Sequence, residues 1–187
     1  MDVDVRPVPA DAVADGDRFD RLYHELRPGL FGLTYRLVGD AGDTEEVVQE
    51  AFARLARDPV LARPDHEVRA WLRRVALNLG ANWLRGRRRA QARLERVGRL
   101  QAVDERRTGD PAAQDTGPLD AVLRSEQRER VRDALARLPQ RQRDCLLLRH
   151  SGHSYAEIAA TLDIAVGSVG VLLARAERRF RDHYEED

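Results

Sequence analysis

Residues 154–169 read SYAEIAATLDIAVGSV, and this stretch decides the fold of the second half of the chain. Ser154, followed three residues later by Glu157, predicts a capping box, in which each side chain bonds the other residue's backbone N–H at a helix start. Asp163 stands where a tight turn needs a left-handed residue. Small and apolar residues at positions 158, 159, 162, 164 and 169 let the two flanking helices cross closely. The spacing predicts a helix-turn-helix of the DNA-binding kind, with a plain helical packing unit as the alternative.

The helix after this turn, predicted over about 166–184, offers little hydrogen bonding near its start. Apolar positions 169, 173, 176 and 180 recur at helical spacing and are expected to face inward. Gly167, Ser168, Gly170 and Val171 are expected to face outward, and arginines follow only from Arg175 onward. Base edges are read by hydrogen bonds and by apolar contacts, so the composition predicts weak hydrogen-bond readout by this helix.

Working upstream, the apolar pattern predicts further helices. Two more precede the motif, one over about 119–138 that Pro139 ends and one over 140–149. Residues 96–119 are polar with Gly and Pro, which indicates a linker, and residues 1–17 indicate a flexible acidic arm. The sequence therefore predicts an all-α fold with two small helical domains, at about 18–95 and 120–187, joined by a flexible linker.

The last helix of the first domain carries two stripes. At 100° per residue, Val68, Trp71, Leu72, Val75, Leu79 and Trp83 share one face and are expected in the core. The second stripe, the Arg/Asn stripe, has Trp71 at its edge and consists of Arg74, Asn78, Asn82, Arg85 and Arg89. Guanidinium groups bind phosphates, amides bond base edges, and an aromatic ring stacks on an exposed base. The stripe therefore predicts binding to a strained or single-stranded nucleic acid, with a solvated charged face as the alternative.

An acidic helix precedes it. Asp43 is predicted as its N-cap, with Glu46 completing the first turn. The acidic and amide side chains on this helix are Asp43, Glu45, Glu46, Gln49 and Glu50. With no histidine or cysteine nearby, they favour a surface for a basic protein partner over a metal or acid–base site.

Composition favours an all-α protein, and its charge is unevenly distributed along the chain. The 187 residues carry 32 basic and 32 acidic side chains, and every basic one is arginine. Residues 2–50 hold 12 acids and 5 arginines, whereas residues 85–107 hold 9 arginines and 3 acids, which predicts one surface for a basic partner and another for a polyanion. A single cysteine excludes a disulfide framework and a cysteine-built zinc site. The acidic first residues and short apolar runs predict neither a signal peptide nor a membrane span, and hence a cytoplasmic protein.

Four stretches together resemble the bacterial RNA polymerase sigma factors of the small, two-domain extracytoplasmic-function (ECF) group. Residues 43–55, DTEEVVQEAFARL, are similar to the family's DAEDLVQEVFLRL helix, and residues 69–89, RAWLRRVALNLGANWLRGRRR, to its RAWLxRIAxNxxxDxxRRRRR stretch. Residues 138–143, LPQRQR, and 154–159, SYAEIA, look like the start of region 4.

The resemblance implies partners and site residues. The acidic helix would bind the clamp of the largest subunit of core polymerase through the five residues named above. The −10 promoter element would be opened and bound by Trp71, Arg74, Asn78, Asn82, Arg85, Arg87, Arg88 and Arg89. The −35 element would contact Ser154, Gly167, Ser168, Val171, Arg175 and Arg178. It further implies a non-catalytic protein that needs no metal or small cofactor, is monomeric when free and is held by an anti-sigma factor.

The sequence departs from the family pattern in three places. Asn82 stands where the family usually has an aspartate, and Glu46 replaces another. Residues 167–176, GSVGVLLARA, replace the common GTVKSRLSRAR, so that Gly170, Val171 and Leu172 stand where Lys, Ser and Arg normally face DNA. This predicts heavier reliance on the −10 element, with shape or methyl contacts upstream.

Two other functions fit parts of the sequence. A dimeric transcription regulator would use only the helix-turn-helix, and a helical adaptor would bind RNA through its arginines. Neither accounts for an acidic helix and an Arg/Asn/Trp helix in one domain.

Overall fold

A computed structural model describes residues 10–97 and 118–186. The helices are α1 (Ala10–Val38), α2 (Ala41–Leu55), α3 (Asp65–Val97), α4 (Pro118–Arg137), α5 (Gln140–His150), α6 (Tyr155–Leu162) and α7 (Val166–Glu185). A short 3-10 helical turn, Pro59–Ala62, joins α2 to α3. No strand occurs within the described ranges, and the all-α prediction is confirmed.

The N-terminal boundary differs from the prediction of a flexible arm over residues 1–17. Helix α1 begins at Ala10. Residues 10–15, ADAVAD, are rich in alanine, the strongest helix former, and aspartates are favourable near a helix N-terminus. Residues 1–9 of the predicted arm and residues 98–117 of the predicted linker lie outside the described residues.

Helices α1, α2 and α3 enclose one apolar core. Its buried side chains include Leu22, Val48, Phe52, Val68 and Leu72, each at most 2% exposed. Gly80 lets α1 and α3 approach closely, because a Cβ atom there would lie 2.9 Å from Leu37 Cδ2. An ion pair of 2.9 Å between Arg18 and Asp65 joins the start of α3 to α1.

Helices α4–α7 enclose a second core that also takes in side chains from the first three helices. Leu148, Ile158 and Val169 are fully buried in it. Leu33 and Leu37 of α1 and Leu77 of α3 belong to the same cluster. In this arrangement the two helical units share apolar packing.

Local signals in the helix-turn-helix are confirmed. Ser154 and Glu157 form the capping box, with Glu157 N–H donating to Ser154 Oγ at 3.3 Å and Ser154 N–H donating to Glu157 Oε2 at 3.0 Å. Asp163 has φ 55° and ψ 57°, the left-handed conformation. Val169, Leu173 and Ala176 face inward, as predicted.

The predicted N-cap of α2 is wrong by three residues. Asp40, in extended conformation, caps the helix, and its Oδ1 accepts a hydrogen bond of 2.9 Å from the Asp43 N–H. Either aspartate suits a cap by residue type. The helix begins earlier because Gly39 adopts φ 82° and places Asp40 as the first extended residue after α1.

No single helix among the described residues is long and apolar enough to cross a membrane. One bent pair, α6 with α7, passes a test of length and composition alone.

Candidate nucleic-acid interface

The Arg/Asn stripe of α3 lies beside α5 and α6 and forms hydrogen bonds with both. Four of its members are nevertheless exposed, namely Asn78, Asn82, Arg85 and Arg89. Arg74 donates from Nε to the Thr161 carbonyl at 2.6 Å and from Nη2 to the Ala160 carbonyl at 2.9 Å. Both acceptors belong to the last turn of α6, whose final carbonyls have no partner within the helix. The negative end of the helix dipole also favours a cation there. The guanidinium of Arg74 therefore caps the C-terminus of α6.

Gln140, the first residue of α5, binds two further members of the stripe. Its Nε2 donates to Asn78 Oδ1 at 3.0 Å, and its Oε1 accepts from Arg85 Nη1 at 3.2 Å. Arg85 also donates to Asn82 Oδ1. Arg74, Asn78, Asn82 and Arg85 are thus gathered on one face, as predicted, and three of them contact the helix-turn-helix unit.

Arg73 makes a contact that the sequence did not predict. Its Nη2 lies 3.5 Å from Glu157 Oε1, and its side chain is only 16% exposed. Burial lowers the pKa of Arg73, although Glu157 acts in the opposite direction. We call Gln140, Glu157 and the carbonyls of Ala160 and Thr161 the α5–α6 corner. No local signal marks these residues as partners of α3, because their positions are 55 to 87 residues away along the chain.

One of the two tryptophans differs from the prediction that both lie in the core. Trp71 is partly buried and packs on the first core. Trp83 is half-buried outside both cores, and the Arg87 guanidinium lies 5.4 Å from the centre of its ring. Helix α3 turns Ala76, Leu77 and Ala81 inward instead, because it packs against α1 and the second core at once. Arg89 is exposed, and the Arg88 side chain lies outside the described residues.

The acidic and amide side chains of α2 divide into an exposed group and a half-buried group. Glu46, Gln49 and Glu50 are exposed, and Glu50 accepts a hydrogen bond of 2.8 Å from Arg54 one turn later. Glu45 forms an ion pair of 2.8 Å with Arg27 of α1 and is half-buried. Asp43 lies half-buried beside Trp83, and burial together with Asp40 and Glu46 raises its pKa. An exposed acidic face remains on the outer side of α2.

The start of α7 is exposed and mostly apolar. Gly167, Ser168, Arg175 and Arg178 face solvent, and Val171 is 53% exposed. Tyr155, Val166 and Val171 are the exposed large hydrophobic residues of the described chain, and all three lie in the helix-turn-helix. No side chain caps the first turn of α7. Ser154 is engaged in the capping box.

A groove of about 880 Å³ runs between α1 and the helices α4, α5 and α7. Its floor is apolar, with Leu135, Leu146 and Phe180 among the lining residues. Arg36, Arg132 and Arg181 also line it, so the groove combines an apolar floor with a basic lining.

The carboxyl group of Asp144 is buried, and we expect it to make the stability of this region depend on pH. It is 4% exposed, and burial raises its pKa to about 6 despite the opposing effects of Arg143, Gln140 and Arg85. Because the pKa of Asp144 is higher in the folded chain than its ordinary value of 3.8, the folded state favours the protonated carboxyl group. The stability that protonated Asp144 contributes is therefore present at low pH and is lost as pH rises through 6.

We therefore expect Asp144→Asn, which mimics the protonated acid, to flatten this dependence. The free energy of unfolding of the wild-type chain relative to the variant should rise by about 1 kcal/mol from pH 7.5 to pH 5, as measured by urea unfolding. A difference that stays constant over this range would contradict the prediction.

Comparison with known families gives two matches. Residues 22–90 match the family model for sigma-70 region 2, and residues 128–180 match that for sigma-70 region 4. The chain is 35% identical over 173 residues to the RNA polymerase sigma-H factor of Pseudomonas aeruginosa, covering 89% of this chain and 86% of the relative. It is 31% identical over 174 residues to the ECF RNA polymerase sigma-E factor of Escherichia coli K12, and the match covers 90% of this chain and 88% of that relative.

Solved structures share the fold. The sigma factor RpoE of Bartonella quintana, in complex with the anti-sigma factor NepR, aligns with a TM-score of 0.58 and 22% identity over 90% of this chain and 98% of that one. CnrH, in complex with the cytosolic domain of CnrY, aligns with a TM-score of 0.57 and 21% identity, over 95% of this chain and 99% of CnrH. On the matches to both sigma-70 regions and to relatives over most of their length, the chain belongs to the ECF group of RNA polymerase sigma factors.

Proposed function

We propose that this sigma factor binds core RNA polymerase through α2, binds the opened −10 element through the Arg/Asn stripe, and contacts the −35 element through α7. It performs no chemistry itself, and its place of action is the cytoplasm, where transcription occurs. The observation that carries the proposal is the gathering of Arg74, Asn78, Asn82 and Arg85 on one face of α3 within a region 2 match.

The acidic face of α2 suits a basic protein partner. Glu46, Gln49 and Glu50 are exposed on one helix, whereas Glu45 is held by Arg27. Complementary charge steers association and fixes the orientation of docking. We therefore assign polymerase binding to the three exposed residues, with Glu45 and Asp43 positioning the helix.

The Arg/Asn stripe suits an opened DNA strand. Arg74 and Arg85 provide guanidinium groups for phosphates, and the amides of Asn78 and Asn82 provide donors and acceptors for base edges. Trp71 at the edge of the stripe and Trp83 near its end provide aromatic faces for an unstacked base. Exposed Arg87 and Arg89 add positive charge toward the end of α3.

The start of α7 suits thymine methyl groups rather than hydrogen-bonding base edges. Val171 is exposed beside Gly167 and Ser168, and an apolar side chain in the major groove contacts the thymine C5-methyl. Arg175 and Arg178 lie further along the helix and suit phosphates.

Replacing contacted −35 thymines by deoxyuridine should weaken promoter binding by the holoenzyme about fourfold per methyl group. The Val171→Ala variant should lose this discrimination. Binding to promoters made with each base measures the effect, and the same replacement outside both promoter elements serves as the control. If thymine replacement weakened promoter binding by the wild-type and Val171→Ala holoenzymes equally, the role of Val171 would be contradicted.

An anti-sigma factor is a further proposed partner, because the structurally similar sigma factor RpoE of Bartonella quintana is in complex with one. The groove between α1, α4, α5 and α7 suits the apolar face of an amphipathic helix with acidic flanks, since arginines line it. Replacing both Arg36 and Arg181 by glutamate should weaken the binding of a candidate anti-sigma factor, as measured by a binding titration. Binding to core polymerase should be retained.

Gel filtration with and without bacterial core polymerase, followed by run-off transcription on genomic promoter fragments, tests the whole proposal. Co-elution with core and discrete transcripts are expected. A self-associating protein that ignores core and binds specific duplex DNA would instead indicate a dimeric regulator. Binding to RNA without promoter preference would indicate an adaptor.

A further inference from the structure

The groove between α1, α4, α5 and α7 has the size and the floor of a site for a small molecule. Its volume of about 880 Å³ lies within the range of about 300–1,000 Å³ that is typical of ligand sites. Leu135, Leu146 and Leu147 form what we call the leucine floor, and each is at most 6% exposed. All three belong to the second core. An apolar ligand on this floor would therefore extend an existing core.

Two stacked rings of α7 form an aromatic wall of the groove. The ring centroids of Phe180 and Tyr184 lie 5.8 Å apart, and the angle between the ring planes is 17°. Arg130 of α4 donates from Nη2 to the Tyr184 carbonyl at 3.1 Å, and its guanidinium lies 4.8 Å from the centre of the Tyr184 ring. These contacts between α4 and α7 fix the aromatic wall, which lowers the entropic cost of ligand binding.

Arginines from three helices line the groove. They include Arg36 of α1, Arg132 of α4 and Arg181 of α7, which we call the arginine rim. Arg36 donates from Nη1 to a backbone carbonyl one turn earlier at 3.0 Å and to Ser151 Oγ at 3.2 Å, so its guanidinium is held beside the end of α5. Glu177 is the one carboxylate among the described residues that line the groove. The excess of positive charge favours an anion.

The combination of an apolar floor and an arginine rim selects an anionic amphiphile. A planar guanidinium binds a carboxylate through two parallel hydrogen bonds. A leucine floor is matched by a hydrocarbon chain, because both surfaces are removed from water on contact. A nucleotide would place a polar sugar and base on the leucines, whereas a neutral hydrocarbon would leave the arginines without a counter-charge.

We propose that the groove binds a free fatty acid, with its hydrocarbon chain on the leucine floor beside the aromatic wall and its carboxylate on the arginine rim. The site itself is independent of the proposed function. One consequence rests on that function: an anti-sigma helix with acidic flanks would need the same floor and the same arginines. The fatty acid and the anti-sigma factor would therefore exclude each other from the groove.

Titration of the full chain with sodium dodecanoate, below its critical micelle concentration, tests the site. Isothermal titration calorimetry should show saturable binding of one molecule per chain, with unchanged helix content by circular dichroism. Affinity should rise about fourfold for each methylene group from octanoate to dodecanoate, because each buried CH₂ contributes a similar free energy. Dodecyltrimethylammonium has the same chain length and the opposite charge, and it should bind at least about tenfold more weakly.

Two double variants test the part played by the arginine rim. Arg36→Gln with Arg181→Gln should weaken dodecanoate binding at least about tenfold, because charge-assisted hydrogen bonds to the carboxylate are lost. Arg57→Gln with Arg141→Gln is the matched control, since it removes the same charge at positions outside the groove lining. The control should bind dodecanoate as wild type does. All four arginines are exposed, so neither variant disturbs a core.

Several results would overturn the proposal. They are the absence of saturable binding, an affinity independent of chain length, and equal weakening by the two double variants. Binding to anionic phospholipid vesicles without binding to dodecanoate would assign the groove to a membrane surface, and self-association lost in Arg36→Gln with Arg181→Gln would assign it to a second copy; either result would also overturn the proposal. Dodecanoate binding by a chain that fails to bind core polymerase would uphold the site and contradict the proposed function.

Discussion

Reversing two exposed carboxylates of α2, in the variant Glu46→Lys with Glu50→Lys, should lower the affinity for core RNA polymerase by about 100-fold. Both residues are exposed on the acidic face assigned to the polymerase. Like charges placed opposite each other at an interface cost several kcal/mol, and about 2.7 kcal/mol corresponds to a factor of 100. Titration of labelled protein with core polymerase measures the loss.

The matched control reverses the same number of charges elsewhere. Glu126→Lys with Asp133→Lys changes two exposed acids on α4 and gives the same net charge. This variant should bind core polymerase nearly as wild type does. Equal weakening by both double variants would mean that overall charge, and not the α2 surface, governs the association. Raising the salt concentration should reduce the difference between them, since exposed charges are screened.

Ile158→Ala should destabilise the folded chain far more than any substitution of an exposed residue. Ile158 is fully buried in the second core, in the first helix of the helix-turn-helix. Truncating a buried isoleucine to alanine lowers the free energy of unfolding by about 2–5 kcal/mol, because the favourable transfer of the removed methyl and methylene groups out of water is lost and a cavity remains. Urea unfolding followed by circular dichroism measures the change in the free energy of unfolding.

Val171→Ala provides the comparison for this prediction. It also removes apolar atoms from the helix-turn-helix, but Val171 is 53% exposed and contributes little to the core. Its free energy of unfolding should stay within about 0.5 kcal/mol of wild type. If the two variants were equally stable, the assignment of Ile158 to the inside of the motif would be wrong.

Much of the fold follows from signals that are local in the sequence. Pro139 ends α4, the Ser154–Glu157 box starts α6, and Asp163 makes the turn before α7. Each signal acts through backbone groups a few residues away, so it works without knowledge of the rest of the molecule. The cap of α2 was misplaced because Asp40 and Asp43 both suit a cap, and only the positive φ of Gly39 distinguishes them.

Which residues make up the candidate site could also be predicted from the sequence. Helical periodicity alone collects Arg74, Asn78, Asn82 and Arg85 on one face of α3, since 3.6 residues per turn fixes their directions relative to one another. The same periodicity separates Val171 from the buried Val169 and Leu173 of α7. It does not distinguish a core tryptophan from a half-buried one, so Trp83 was assigned wrongly to the core.

The sequence by itself determined the helices, their caps and turns, and which polar side chains share a helix face. Only the tertiary structure decided what those faces touch: Arg74 caps α6, Gln140 binds Asn78, and Leu77 packs into the core of the other unit. Periodicity fixes directions within one helix, whereas a contact between residues 62 or 87 positions apart depends on how whole helices pack.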